Sequence, residues 1–98
     1  MVSLQDVQKA AENIKEVVAK VPFVKSEYLS GSKDYEVWLK KCCLQNTGAF
    51  KIRGAYNRIC SLSNDEKNAG VIAASAGNHA QGVAFSAKHF GIKAVIVM

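Results

Sequence analysis

Two short stretches of the chain hold the residue types that chemistry needs. Thr47-Gly48-Ala49-Phe50-Lys51-Ile52-Arg53-Gly54-Ala55 sets a lysine directly after an aromatic ring, and Ser75-Ala76-Gly77-Asn78-His79-Ala80-Gln81-Gly82 gathers small and hydrogen-bonding residues. Each falls where a polar loop runs into a helical pattern. A helix start offers unpaired N–H groups and the positive end of the helix dipole, a setting suited to carboxylate or phosphate. A lysine is badly placed there as a structural cation. The same field, together with burial, is expected to lower the pKa of Lys51 and supply the neutral amine that carbonyl chemistry requires. The residues nominate a nucleophilic lysine beside an anion-binding loop and leave its carbonyl partner open. Taken singly they have plainer readings: Lys51 as a solvated helix lysine, Asn78 as an N-cap, His79 as a surface or capping histidine. Arg53 is expected to pair with an acidic neighbour, and Phe85 and Phe90 to sit in the core.

The elements that must position these groups follow from periodicity. Residues 3–20 predict an amphipathic helix, with Ser3 and Asp6 at its cap, apolar positions at Leu4, Val7, Ala11, Ile14 and Val18, and Pro22 as its stop. A loop is expected through Lys25–Asp34, then a strand over Tyr35–Leu39 with alternate residues facing one way. Gln45–Gly48 is a polar turn, and a helix is predicted from about Phe50 to Leu62. Gly70–Ser75 and Lys93–Met98 read as buried parallel strands, joined by a helix from about His79 to Phe90 that shows the apolar face Ala80, Val83, Ala84, Ala87 and stops at Gly91. Strand, loop, helix, strand is a βαβ unit. Asn68 to Ala87 contains no Asp, Glu, Lys or Arg, so that run is expected to be buried or to line a site. The last strand has nothing after it to cover it, and so few parallel strands cannot close a core; the expectation is a truncated chain.

Composition limits the classes. With 98 residues the chain has room for one small domain at most. No apolar run approaches the ~18 residues of a membrane span, and no basic-then-apolar leader suggests secretion. The net charge of +5 comes from lysines scattered among acids, without a nucleic-acid-binding signature. Three cysteines, Cys42, Cys43 and Cys60, are odd in number, and two are adjacent. That suits neither a disulfide framework nor a metal site, and is read as a reducing cytoplasm.

In order and spacing, TGAFKIRGA followed by SAGNHAQG resembles the paired signature of the fold-type-II pyridoxal-phosphate enzymes. The likeness is greatest to the threonine ammonia-lyase (threonine dehydratase) branch, with serine/threonine dehydratases and serine racemase, and runs from about Val21 to Met98. The resemblance implies an α/β fold of the tryptophan-synthase-β type, present here as its N-terminal portion. Residues 1–68 would begin the larger domain and 69–98 the smaller. Lys51 would carry pyridoxal 5′-phosphate as a Schiff base and act as the base, Phe50 would flank the cofactor, and Asn78 would bond its ring hydroxyl. Ser75, Ala76, Gly77 and His79 would surround the substrate carboxylate, and Asn46, Thr47 and Gln81 would match an effector site for adenine nucleotides.

The implied activity is elimination of ammonia from L-threonine, giving 2-oxobutanoate, with L-serine as a second substrate. A cytoplasmic homo-oligomer in amino-acid metabolism (isoleucine biosynthesis) is implied with it. A racemase would need a serine at position 76, where this chain has alanine. The chain also departs at Ala49, usually serine in the family, and at Cys42, usually near an acid; the phosphate-gripping glycine loop lies downstream in the family. The alternatives are a non-catalytic fragment, a serine racemase-like enzyme and a nucleotide-binding module.

Overall fold

Ser3 opens the first helix, α1 (Leu4–Ile14), through a capping box: its hydroxyl accepts from the Asp6 N–H at 3.2 Å while the Asp6 carboxylate accepts from the Ser3 N–H at 2.8 Å. This is the computed structural model of the chain, and it describes residues 1–32 and 34–98. The helix ends well before Pro22. Leu4, Val7 and Ala11 of its expected apolar face are exposed, and burial begins at Ile14 and Val17. Only its last turn meets a partner, so nothing holds the pattern helical beyond Lys15.

An antiparallel pair follows, β1 (Phe23–Lys25) with β2 (Trp38–Lys40), in the register Phe23↔Lys40, Val24↔Leu39 and Lys25↔Trp38. The strand expected over Tyr35–Leu39 is therefore shifted towards Lys40. The expected loop contains a short helix, α2 (Glu27–Ser30), capped by the Ser26 hydroxyl, while Lys33 within that loop lies outside the described residues. All six residues of the pair are exposed. The rings of Phe23 and Trp38 pack at 5.5 Å, and Lys25 bridges to Glu36 at 2.7 Å.

The centre is α3 (Lys51–Cys60) laid against α5 (Asn78–Phe90). Helix α3 buries Ile52, Ala55, Tyr56 and Ile59, the spacing of one helical face. From α5 come Ala80, Gly82, Val83, Ser86 and Ala87. Ala84 and Phe85 turn out exposed, because Gly82 and Ser86 take the packed positions. Between the two helices lies α4 (Asn64–Ala69), set by a second capping box in which the Glu66 N–H donates to the Ser63 hydroxyl at 3.2 Å and the Ser63 N–H to Glu66 at 2.8 Å.

Strands β3 (Val71–Ala74) and β4 (Ala94–Val97) pair in parallel on either side of α5, so the βαβ unit is present. Val71, Ala73, Ala94 and Ile96 turn towards α5 and join Ala55, Ile59, Val83 and Ala87 in the main apolar cluster. Ile72, Ala74, Val95 and Val97 are exposed, so the uncharged run 68–87 is buried only in part. With one helix layer, a sheet can cover one face. A second cluster joins Ile14, Val17 and Tyr56, with Phe90 half-buried against both.

Candidate active site

Helix α3 begins at Lys51 without a side-chain cap and without an acid in its first turn. The loop before it is held from behind. Gln45, 4% exposed, accepts at Oε1 from the N–H groups of Ala19 (2.7 Å) and Asn46 (2.9 Å) and donates to the Ala19 carbonyl at 3.0 Å. Asn46 donates to the Val17 carbonyl at 2.7 Å. The segment after α1 and the segment before α3 are thereby fastened together.

The backbone then turns through two left-handed residues, Thr47 at φ 66° and Gly48 at φ 68°. For a β-branched residue that conformation is strained. The Thr47 hydroxyl is buried with no hydrogen-bond partner among the described residues. Strain and an unpaired polar atom on one residue mark a place where a fold gives up stability for something else.

The turn delivers Phe50 and Lys51 to the surface, with the Lys51 Nζ 4.9 Å from the centre of the Phe50 ring. Both are exposed, so these residues do not supply the burial expected around the lysine. No acid pairs with Lys51 among the described residues, and none pairs with Arg53, contrary to expectation. The amine opens on a cavity of about 340 Å³ lined by Phe50, Lys51, Arg53, Gly54, Ala55 and His79.

His79 is the second residue of α5 and is exposed; it also lines the neighbouring, mostly apolar cavity of about 330 Å³ between α3, β3 and α5. Helix α5 likewise has no side-chain cap. Gly77 holds the N-cap position, so Asn78 is the first helical residue rather than the cap. Ser75 is tied to the end of β4 through its N–H to the Val97 carbonyl at 2.9 Å, and its hydroxyl accepts from the Gly77 N–H at 3.3 Å. Ala76, Gly77 and Asn78 are exposed at the head of α5 and do not line the lysine cavity. Gln81 is exposed on α5. The structure thus brings Lys51, Phe50 and His79 onto one cavity, with the asparagine loop leading into it at His79.

These groups suit pyridoxal phosphate by the chemistry of their donors: an amine not engaged by an acid, an aromatic face beside it, and a long helix whose first N–H groups carry no side-chain cap. Among the described residues no group of three His, Cys, Asp or Glu is placed to hold a metal, and Cys42, Cys43 and Cys60 are free thiols. Sequence reasoning missed Gln45, whose anchoring role joins segments distant in sequence. It also missed Gly54 and Ala55 as lining residues, and Gly82 as a contact. A glycine inside a helical pattern was the available signal for Gly54 and Gly82.

A family profile described as pyridoxal-phosphate dependent enzyme matches residues 14–98. The chain is 52% identical, over its whole length and 24% of the relative's, to a protein of Thermotoga maritima named L-threonine ammonia-lyase. It is also 52% identical to a catabolic L-threonine dehydratase of Staphylococcus aureus, covering 29% of it. Among solved structures, maize serine racemase superposes with a TM-score of 0.88 at 36% identity, over 97% of this chain and 30% of that one. A solved bacterial-type relative described as a T.th. threonine deaminase superposes at 0.82 and 40% identity, over 96% and 33%. The chain spans between a quarter and a third of the length of such relatives.

Proposed function

The chain belongs to the family of pyridoxal-phosphate dependent enzymes, and from that premise we propose that it carries the cofactor lysine of a threonine ammonia-lyase. The substrate would be L-threonine, released as 2-oxobutanoate and ammonia, with L-serine as a second substrate. One observation carries the reading: Lys51 starts a helix beside Phe50, with its amine open to a cavity and no acid to hold it among the described residues. The 52% identity to a protein named L-threonine ammonia-lyase supports this branch of the family.

When bound, pyridoxal phosphate supplies a conjugated ring able to take up the electron pair left at the substrate α-carbon. The chain's own residues do the rest. Lys51 holds the cofactor through its amine, is displaced by the substrate amine, and then takes the α-proton as general base. Phe50 flanks the ring and limits water on that side, and Asn78 bonds the ring hydroxyl. The first N–H groups of α5, with Ser75, Ala76, Gly77 and His79, bind the substrate carboxylate at the positive end of the helix. On this reading residues 1–68 begin the larger domain and 69–98 the smaller, and the site lies where α3 meets α5. Free thiols suit a reducing cytoplasm, and no described helix is long and apolar enough to cross a membrane.

The test is borohydride reduction of the cofactor-loaded full-length protein, followed by peptide mapping. The adduct is expected on Lys51, and Lys51→Ala should lower threonine turnover by about 10²–10⁴-fold or more. An adduct on Lys40, Lys41 or any other lysine refutes the assignment.

A homo-oligomer with an adenine-nucleotide site at Asn46, Thr47 and Gln81 completes the proposal. The unpaired Thr47 hydroxyl supports it. AMP is expected to change the enzyme's threonine affinity, and Thr47→Val to abolish that response; threonine affinity unmoved by AMP removes the site.

A further inference from the structure

Helix α5 meets the first turn of α3 at one residue. Gly82 is buried, and a Cβ built on it would stand 3.1 Å from the Lys51 carbonyl carbon, 3.2 Å from the Lys51 oxygen and 3.2 Å from the Ile52 nitrogen. All three are backbone atoms of a helix pinned by the fully buried Ile52, so none can swing aside as a flexible side-chain tip would. From the other side, the Ser86 hydroxyl, itself fully buried, donates to the Gly82 carbonyl at 2.7 Å. A bond of that kind biases the local bend of a helix. Glycine inside a helix weakens it relative to alanine; what this one allows is the close approach of two backbones. The other site glycines differ, since a Cβ at Gly54 or Gly77 would meet nothing within 4 Å.

We propose that Gly82, with Ser86 on its carbonyl, is a positioning residue for Lys51: it sets how deeply the first turn of α3 sits against α5. That depth fixes where the amine stands over the cavity shared with His79. The inference rests on the reading of Lys51 as the cofactor lysine. Added bulk at residue 82 must part the two backbones by a few tenths of an ångström, and the lysine moves with its own carbonyl. His79 lies one turn before Gly82 on the same helix, so the displacement changes the spacing between Lys51 and His79.

Three variants of the full-length protein separate positioning from stability. Gly82→Ala adds the clashing methyl, Ser86→Ala removes the bond to the Gly82 carbonyl without adding an atom, and Ala84→Gly weakens α5 at an exposed position. The measurements are the melting temperature, the rate of Lys51 acetylation by acetic anhydride in the cofactor-free protein relative to Lys88 in the same digest, and kcat and KM for L-threonine. Gly82→Ala is expected to change relative Lys51 labelling by about threefold or more and to lower kcat about tenfold, with KM nearly constant, as a reacting group misplaced by a fraction of an ångström should. Ser86→Ala should move labelling and kcat the same way by less, and Ala84→Gly should lower the melting temperature alone. Labelling and kcat within a factor of two of wild type in both Gly82→Ala and Ser86→Ala overturn the proposal. A kcat loss that simply follows melting temperature across all three variants overturns it too. Should Gly82→Ala fail to fold, Ser86→Ala decides by the same two readouts. A borohydride-trapped adduct on a different wild-type lysine defeats the reading of Lys51 instead, while the labelling comparison still reports whether Gly82 positions that amine.

Discussion

At position 76 a methyl group decides between two outcomes that share their first step. Once Lys51 has taken the α-proton, racemisation needs a second acid on the opposite face to return a proton there. Ala76 is exposed at the head of α5 and can neither give nor take one. Its neighbour Ser75 has its hydroxyl engaged by the Gly77 N–H. The maize neighbour named serine racemase makes the distinction worth testing. The full-length enzyme is expected to give 2-oxo acid and ammonia from L-threonine or L-serine, with little D-amino acid. Chiral chromatography of an L-serine reaction decides it, and D-serine accumulating as fast as pyruvate defeats the claim. Ala76→Ser should raise racemisation to a detectable level. At this scale the sequence was informative about Lys51, Phe50 and His79, which share one cavity. It was silent on Gln45 and on the Gly82 contact, because both join segments whose nearness depends on tertiary packing. It misjudged Arg53, for which no acid lies in reach among the described residues.

Elements with a full helical face or an unbroken apolar run were legible: α3, β3, α5 and β4 stand within about two residues of their expected bounds. Those without such a face were not. Leu4, Val7 and Ala11 have the spacing of a core stripe but meet no partner, so α1 is shorter than its pattern. Helix α4 buries nothing and exists through its cap, S-x-x-E at Ser63–Glu66, a signal left unread. That cap gives α4 a pH dependence of known sign. The Glu66 carboxyl is held below its usual value, first by the Ser63 N–H and then, against the opposing effect of desolvation, by the Ser63 hydroxyl and by Arg58. A carboxyl whose folded pKa is depressed stabilises fully above its unfolded value and loses that stabilisation as pH falls through the folded one. Order in α4 should therefore persist at neutral pH and weaken below about pH 4, as amide hydrogen exchange over Asp65–Gly70 would report. Glu66→Gln should flatten the profile, and Ser63→Ala should cost about 1 kcal/mol. Exchange in α4 that ignores both pH and Glu66→Gln contradicts the account.

Over the whole molecule, the α/β, fold-type-II reading agrees with the family match and the solved neighbours, yet these 98 residues leave much apolar surface in water. Phe23, Trp38, Leu44, Ile72, Val95 and Val97 are each between 44% and 74% exposed. Both faces of the β1–β2 pair and the outer face of β3–β4 lack cover, and in each sheet both strands are edges. The radius of gyration, 16.4 Å, exceeds the roughly 13 Å of a compact chain this long, and the long axis reaches 55 Å. Apolar patches and unpaired strand edges of this kind associate. The lysine cavity is open as well, bounded by α3 and the head of α5, with no second wall to hold a cofactor by its far side. Expressed alone, the 98-residue chain is therefore expected to self-associate and to bind pyridoxal phosphate only weakly, without turning over threonine. Size-exclusion chromatography with light scattering reads the first expectation across a tenfold dilution, and cofactor absorbance titration reads the second. A monomer at every concentration, with micromolar cofactor affinity, would mean that α3, α5 and two short sheets bury enough by themselves, against the exposure seen at Ile72, Val95 and Val97. A sample that associates but forms the Lys51 adduct at millimolar cofactor would place the missing affinity in groups beyond the lysine, since the amine already stands free.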